Sequence, residues 1–147
     1  MVIIKKADLG HLRDIAPLFD SYRVFYGQES NLEKALIFLE DRLLKEESII
    51  FLAYENEVPV GFVQLYFTFS SVSLQRSLIL NDLFVSEEYR KKKVGQALLE
   101  KSKSFCIENG FKGLTLETAV DNPAQKLYEK LDWKKDSHCF HYFWSAE

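Results

Sequence analysis

Residues 90–97 combine four consecutive cations, Arg90 to Lys93, with Gly95 at the start of a pattern typical of an α-helix. The first turn of a helix leaves backbone N–H groups without intrahelical partners, and the positive end of the helix dipole lies at the same place. Such a turn binds phosphate without needing a particular side chain, and the cations add attraction that depends little on geometry. The stretch therefore predicts a site for a phosphorylated ligand.

A run of cations is more often a solvated surface than a binding site. Here the run lies between an apolar stretch, residues 78–85, and a helical pattern, residues 94–107. A loop that joins a strand to a helix directs the free N–H groups of the helix at a ligand. This context favours phosphate binding over a solvated surface.

Two other stretches carry polar side chains inside apolar runs. Residues 63–70 alternate between apolar and mostly polar types, so one face packs on a core while the other, with Gln64 and Tyr66, meets something polar. This second face is a candidate substrate wall. Asp82 is unfavourable in a strand by propensity, which indicates either a functional purpose or a pairing with a lysine.

Composition limits the classes of protein to consider. The 147 residues, 47% hydrophobic, suffice for one domain spanning 1–147 with a full core. A formal net charge of −3, without aromatic residues interleaved in the lysine run, disfavours nucleic-acid binding. A P-loop hydrolase is excluded because no G-K-[ST] sequence occurs.

Cysteines and apolar runs indicate the compartment. Cys106 and Cys139 are isolated, so neither a metal site nor a disulfide framework is expected. The N-terminus is too poor in apolar residues for a signal peptide, and no run reaches the roughly 18 residues of a membrane span. We expect a soluble, cytoplasmic protein that does not bind membranes.

Periodicity predicts the elements that position these residues. Strands are predicted at 2–5, 49–54, 60–69, 78–85, 113–119 and 138–144. Helices are predicted from Asp8, from Ser30 or Asn31, over 94–107, and from Asn122-Pro123. This order predicts an α+β (mixed α/β) domain with a mostly antiparallel sheet of about six or seven strands and about four helices.

Two ordered motifs resemble those of the GNAT superfamily of acetyl-coenzyme A dependent N-acetyltransferases. The family's R/Q-x-x-G-x-G/A signature reads Arg90 to Gly95 here, after the strand Leu80 to Val85. Its N-x-x-A-x-x-L-Y-x-x-x-G-F/W signature reads Asn122 to Trp133. The resemblance extends from Val2 to about Trp144, and the closest branch contains polyamine and histone-type acetyltransferases.

Two residues depart from the motifs. Lys93 occupies the first glycine position, so we expect a negative φ there or a slightly shifted loop. Asp132 replaces the glycine of the second motif and is expected to tolerate left-handed angles.

The resemblance implies acetyl-CoA as the cofactor. Backbone N–H groups around Leu83 to Val85 would hold the pantetheine and polarise the acetyl carbonyl. Tyr128, a packed aromatic residue by spacing alone, would protonate the departing sulfur. Asn122 caps its helix, contacts the cofactor, or does both. The implied cofactor-binding residues are Leu83, Phe84, Val85, Arg90, Lys91, Lys92, Lys93, Val94, Gly95, Gln96, Ala97, Asn122 and Tyr128.

The implied chemistry is direct attack by a primary amine on the thioester. An alkyl amine is only about 1 part in 2,500 neutral at pH 7, which costs roughly 4–5 kcal/mol if solvent removes the proton. Some relatives carry Glu where this chain has Asn81. Asp82, Glu117 or an ordered water must replace it, and we favour a water held by Asn81 with Asp82 nearby.

The same resemblance places the acceptor pocket beside the first two helices. Its candidate lining residues are Tyr22, Tyr26, Glu29, Gln64, Tyr66 and Glu117. The acids Glu29, Asp82 and Glu117 suit a cationic acceptor, so a polyamine-like amine is favoured among small molecules and peptides.

Two further hypotheses remain open. The missing Glu at position 81 and the Lys93 substitution motivate a catalytically weak or inactive coenzyme A-binding module. The aromatic strand 138–144, if it leaves an exposed edge, would pair with a second copy to form a homodimer.

Overall fold

A computed structural model describes residues 1–147, which fall into two compact units, Met1–Glu117 and Thr118–Glu147. The first unit contains a five-stranded sheet and three α-helices. Its elements are β1 Val2–Lys6, α1 Leu12–Phe25, α2 Leu32–Leu44, β2 Ser48–Glu55, β3 Val58–Ser70, β4 Gln75–Val85, α3 Val94–Glu108 and β5 Leu114–Thr115. The second unit contains one helix, α4 Gln125–Lys130.

The sheet follows the chain in the order β1-β2-β3-β4-β5. The first four strands are antiparallel to their neighbours, whereas β4 and β5 are parallel. The α+β class and the mostly antiparallel sheet predicted from the sequence are therefore confirmed, with four α-helices and with fewer strands than expected.

Helices cover both faces of the sheet. Ile50 and Leu52 of β2 belong to a buried cluster with residues of α1 and α2. Between them, the Phe51 ring points the other way and lies 5.6 Å from the ring of Phe105 in α3. Successive strand residues face opposite sides of a sheet, so β2 is buried on both.

Polar side chains cap the starts of two helical segments at residues that the sequence predicts. The Asp8 carboxylate accepts from the Gly10 N–H at 2.8 Å and caps a short 3-10 turn, Leu9–His11, whereas α1 itself begins without a side-chain cap. Asn31, rather than Ser30, caps α2, because its side chain accepts from the Lys34 N–H at 3.0 Å. These caps position the helix pair over the sheet.

One glycine brings the end of β4 close to β3. A Cβ at Gly61 would lie 2.8 Å from the Phe84 carbonyl oxygen, closer than side chains tolerate. Gly61 pairs with Val85 and so holds the last residues of β4 against the sheet.

The sheet is smaller than predicted because its C-terminal part differs. The predicted strand 113–119 pairs only over Leu114–Thr115, and the predicted strand 138–144 does not form. A strand requires a hydrogen-bonded neighbouring strand, and residues 138–144 are not part of any strand pair of the sheet. Their aromatic side chains are 84–88% exposed at Phe140, Tyr142, Phe143 and Trp144.

No helix of the chain is long and apolar enough to span a bilayer. The cytoplasmic location stays a prediction.

Candidate functional site

A β-bulge in β4 creates the polar centre of the first unit. Gln64 of β3 is opposite Asp82, and Leu65 is opposite Leu80, so Asn81 has no partner residue. An extra residue bends the strand and redirects its side chains. As a result, the neighbouring residues Asn81 and Asp82 both line one cavity instead of facing opposite sides of the sheet.

Asp82 is buried but its two carboxylate oxygens are paired. It is 3% exposed, accepts from Gln64 Nε2 at 2.5 Å, and accepts from Asn81 Nδ2 at 2.8 Å. Burial raises the pKa of Asp82 above its ordinary value, although hydrogen bonding by Gln64, Asn81 and Tyr22 acts in the opposite direction. Asp82 therefore takes up a proton at a higher pH than an exposed aspartate does.

The buried amide of Gln64 has one oxygen without a partner. Its Nε2 is committed to Asp82, and its Oε1 accepts no hydrogen bond. The hydrogen bond to Asp82 therefore sets the orientation of the Gln64 amide. The unpartnered Oε1 costs stability, because a fully buried polar atom has lost its contacts with water.

A cavity of about 390 Å³ lies between α1, α2 and the β3–β4 pair. Its walls are largely aromatic, and its floor contains Asp82. The lining residues are Phe19, Tyr22, Arg23, Lys34, Ala35, Phe38, Tyr66, Asn81 and Asp82. A volume of this order falls within the range of small-molecule sites.

Two tyrosines of the cavity stay protonated. The Tyr22 hydroxyl donates to the Asn81 carbonyl oxygen at 3.3 Å. Burial, reinforced by the negative charge of Asp82, raises the pKa of both Tyr22 and Tyr66 well above the ordinary tyrosine value. Both hydroxyls are therefore hydrogen-bond donors near neutral pH and neither is a base.

The predicted acceptor residues separate into two groups. Tyr22 and Tyr66 line the cavity, and Gln64 lies behind Asp82. Tyr26 is exposed and stacks edge-on against Tyr22, with ring centroids 5.0 Å apart. Glu29 and Glu117 are exposed and lie outside the cavity lining.

Sequence reasoning missed the residues that α1 and α2 contribute to the cavity. Phe19, Arg23, Lys34, Ala35 and Phe38 line it but were not among the candidates. The sequence spacing could have found part of this set. Phe19 and Arg23 are four residues apart and so share a face of α1, and Lys34 and Phe38 share a face of α2 in the same way.

Strand β4 has an unpaired edge at its C-terminal end. It pairs with β5 only at Leu78↔Leu114 and Ile79↔Thr115, whereas its pairing with β3 continues to Val85. The β5-facing edge over residues 80–85 therefore has no neighbouring strand. Leu83, Phe84 and Val85, the predicted pantetheine contacts, lie in this segment.

The loop after β4 leaves backbone N–H groups free. Lys93 is the N-cap of α3 without a side-chain cap, and the first intrahelical bond runs from the Ala97 N–H to the Lys93 carbonyl at 3.0 Å. The N–H groups of Val94, Gly95 and Gln96 therefore have no intrahelical partner. They point out of a helix end that attracts anions.

The backbone of this loop keeps glycine-like geometry without the first motif glycine. The expectation of a negative φ at Lys93 was wrong: φ is 65° there and 62° at Lys91. Left-handed residues beside a helix start form a concave nest of N–H groups. The loop retains this shape although Lys91 and Lys93 carry Cβ atoms, which makes the left-handed conformation less stable for them than for glycine.

Side chains of the cationic run are partly engaged within the protein. Arg90 Nε donates to the Val85 carbonyl at 2.9 Å, and its guanidinium lies 5.6 Å from the ring centroids of Phe25 and Phe84. Lys92 Nζ lies 5.3 Å from the Tyr89 ring centroid. The free amides of α3 are therefore the main groups available to an anion, with the cations around them.

Motif residues of the second unit have local partners. The Asn122 side chain accepts from the Ala124 N–H at 2.9 Å and so caps the turn that leads into α4. Tyr128 of α4 is half-buried, with its ring centroid 5.9 Å from that of Trp133. Asp132 has a φ of 67°, the left-handed conformation that the sequence predicts for it.

Comparisons with known proteins agree with the motifs. Residues 13–133 match the model of the acetyltransferase (GNAT) family. The chain is 46% identical over 140 residues to the uncharacterized N-acetyltransferase YhfO of Bacillus subtilis (strain 168), covering 95% of this chain and 94% of that protein. It is 36% identical over 137 residues to a probable acetyltransferase of Haemophilus influenzae, covering 84% and 94%.

A solved structure extends the match to the whole chain. The crystal structure of a probable acetyltransferase superimposes with a TM-score of 0.93 at 42% identity, covering 99% of this chain and 98% of that one. Fold, motifs and relatives agree, and the chain belongs to the GNAT family of acetyltransferases, which use acetyl-CoA as the acetyl donor.

Proposed function

We propose that the chain is an N-acetyltransferase that moves the acetyl group of acetyl-CoA directly to a primary amine of a small molecule or peptide. The observation that carries the proposal is the buried carboxylate of Asp82, held by Gln64 and Asn81 in the floor of an aromatic cavity. The coenzyme supplies the reactive thioester, and the protein supplies the proton acceptor and the binding groups.

Asp82 meets the main chemical requirement of amine acylation. An ammonium ion cannot attack, and its deprotonation by solvent costs roughly 4–5 kcal/mol at pH 7. A carboxylate whose pKa is raised toward neutral is a better base than an exposed one. We propose that a water held at Asn81 passes the amine proton to Asp82.

The loop fits the pyrophosphate of coenzyme A. The free N–H groups of Val94, Gly95 and Gln96 and the left-handed angles at Lys91 and Lys93 form an anion cradle. Arg90, Lys92 and Ala97 complete the proposed phosphate site. The unpaired edge at residues 83–85 would hold the pantetheine arm.

The second unit contributes by family resemblance. Tyr128 is the proposed acid that protonates the departing sulfur, because a phenol with a reference pKa of about 10 carries its proton at neutral pH. Asn122 is proposed as a further cofactor contact.

The family resemblance identifies acetyl-CoA as the acetyl donor, but it only favours a class of acceptor amine. The branch resemblance favours a polyamine-like cation, and Asp82 offers one negative charge to its ammonium group. A polyamine carries two or more positive charges, so it would need further acids around the cavity. Glu29 and Glu117, the acids expected there, lie outside the lining.

A coenzyme A-binding module without activity is the alternative. The similar proteins are named acetyltransferases, which does not favour it. Two departures from the family motivated this alternative: the missing Glu at position 81 and the Lys93 substitution. Asp82 provides a carboxylate one residue away from position 81, and residue 93 keeps a left-handed φ of 65°.

Replacing Lys93 with glycine tests the geometry of the cofactor loop. Glycine has no Cβ to strain a φ of 65°, so we expect Lys93→Gly to raise the free energy of unfolding by about 1 kcal/mol. The measurement is urea unfolding, followed by calorimetric titration with coenzyme A, whose affinity should change only by the loss of one charge.

Lys92→Gly is the matched control. It removes the same charge from the same loop, but residue 92 does not have a positive φ, so glycine adds chain entropy and loses the Lys92 contact with the Tyr89 ring, which should cost about 1 kcal/mol. A Lys93→Gly variant no more stable than Lys92→Gly would contradict the left-handed loop.

Replacing Asp82 with asparagine tests the proposed base. We expect kcat/KM at neutral pH to fall about 10²- to 10⁴-fold, because a neutral amide accepts no proton. Stability should not fall, since a buried charge disappears and the new amide can donate to the orphan Gln64 Oε1. In the wild type, the rate should fall as pH drops through a pKa above about 3.9, the ordinary aspartate value.

Asp14→Asn is the matched control for this change. Asp14 accepts from the Tyr54 hydroxyl at 2.6 Å outside the cavity, so its isosteric replacement should leave the pH–rate profile unchanged. An Asp82→Asn enzyme that keeps wild-type kcat/KM would place the base elsewhere.

We also propose that two copies associate through the C-terminal segment. Phe140, Tyr142 and Trp144 are exposed, and so is the apolar tip of the β3–β4 hairpin, where Val72 is 98% and Leu74 90% exposed. Large exposed apolar surfaces mark interaction sites. A second copy of the chain carries the same two apolar surfaces and can therefore cover them.

Light scattering after gel filtration tests this association. We expect twice the chain mass for the wild type and a single chain mass for Tyr142→Asp with Trp144→Asp, because aspartate cannot be buried unpaired. Ser145→Asp adds charge to the same segment without removing an aromatic ring and should remain a dimer. A wild-type monomer at micromolar concentration would refute the proposal.

A further inference from the structure

The cavity carries opposite charges on its two sides. Asp82 lies in the floor formed by β4, whereas Arg23 of α1 and Lys34 of α2 line the side formed by the helices. The walls between them are the rings of Phe19, Phe38 and two tyrosines. An acceptor in this cavity meets a carboxylate, an apolar surface and two cations.

Neither cation is paired within the protein. The ion pairs of the chain include neither Arg23 nor Lys34. The charge of Asp20 acts on Arg23, but the oxygens of Asp20 accept from Ser30 Oγ at 2.5 Å and from the Asn31 N–H at 2.7 Å.

A third cation nearby is arranged differently. Arg42 lines the adjoining surface depression, but its Nε is 2.9 Å from Glu47 Oε1 and its guanidinium stacks over Phe38 at 4.5 Å. Arg42 is therefore engaged with Glu47 and Phe38, although its charge still acts on Tyr66. Arg23 and Lys34, in contrast, make no ion pair and keep their charges available to a ligand.

The position of Lys34 is not explained by helix stability. It is the third residue of α2, in the first turn, where the positive end of the helix dipole disfavours a cation. The N–H groups at the start of that turn add to the positive potential, although the Lys34 N–H itself is capped by Asn31 and Glu33 lies in the same turn. Arg23 and Lys34 thus place two cations at the helix side of the cavity, where they attract an anionic group.

We propose that the acceptor is an apolar amino acid, with its amine toward Asp82 and its carboxylate toward Arg23 and Lys34. The side chain would pack against the aromatic walls. Charge-assisted hydrogen bonds from a guanidinium and an ammonium group are the strong, specific contacts for a carboxylate. The inference rests on the proposed N-acetyltransferase function, and it replaces the polyamine expectation because a second ammonium group would meet two cations.

The transfer balances without a further reactant. The acceptor ammonium loses one proton to Asp82, and its nitrogen then bonds to the acetyl carbon while the carbon–sulfur bond breaks. The nitrogen loses a second proton, and the sulfur leaves as a thiol carrying one proton. The products are the N-acetylated amino acid, coenzyme A and one net proton.

Three amines that share a ring but differ in charge test the carboxylate contact. L-phenylalanine, L-phenylalaninamide and 2-phenylethylamine are compared as acceptors, with spermidine as the polyamine, by thiol release from acetyl-CoA. L-leucine, L-leucinamide and isopentylamine form a second set with a smaller apolar side chain. We expect kcat/KM for the amino acid to exceed that of its two relatives about tenfold or more in at least one set.

Charge removal locates the contact. Arg23→Gln and Lys34→Gln should each lower kcat/KM for the preferred amino acid about tenfold, mainly through KM, and should change little for the amine that lacks a carboxylate. Arg13→Gln, on the same helix but outside the lining, is the matched control and should leave all rates unchanged.

The outcomes separate this inference from the proposed function. Acetylation of the amide, the simple amine or spermidine as fast as the amino acids would overturn the carboxylate contact and leave the acetyltransferase intact. The carboxylate contact would also be overturned if Arg23→Gln and Lys34→Gln both kept the wild-type preference for the amino acid over its amide and amine. If no amine released thiol, the proposed function would fail, and the acceptor inference with it.

Discussion

A carboxylate can remain inside a sheet only if its oxygens find hydrogen-bond donors, and Asp82 meets that condition through one irregularity of β4. The bulge at Asn81 brings two successive side chains to the same cavity, and the amide of Asn81 pairs with one oxygen of Asp82. Gln64 of the neighbouring strand pairs with the other. Strand register, burial and the raised pKa of Asp82 are therefore consequences of a single local insertion.

The same strand contributes to both proposed binding sites. On the face covered by α1 and α2, β4 contributes Asn81 and Asp82 to the cavity proposed for the acceptor. At its end, the chain turns through left-handed residues into α3, whose free N–H groups form the proposed anion cradle. Gly61 allows β3 to approach the last residues of β4 closely, which holds this strand against the sheet.

Local signals in the sequence predicted most of the elements and the helix caps, because caps and periodicity act over a few residues. The phosphate-binding role of the loop at residues 90–97 stays a prediction. The left-handed φ of Lys93 was missed because tertiary context overrides the intrinsic preference of lysine. The strand expected at 138–144 was missed because pairing is non-local and aromatic content does not supply a partner. Arg23 and Lys34 were missed because they line the same cavity only as a result of how two helices pack on the sheet, which the sequence pattern does not show.

The proposed role of Asp82 as proton acceptor depends on burial raising its pKa above that of an exposed aspartate. The most direct test is a pH titration of the Asp82 carboxyl carbon by NMR, with the resonance assigned by its loss in an asparagine variant. We expect a midpoint above about 3.9, the ordinary value for aspartate, because desolvation outweighs the two amide hydrogen bonds. A midpoint at or below that value would show that hydrogen bonding dominates, and it would contradict the role of Asp82 as the proton acceptor.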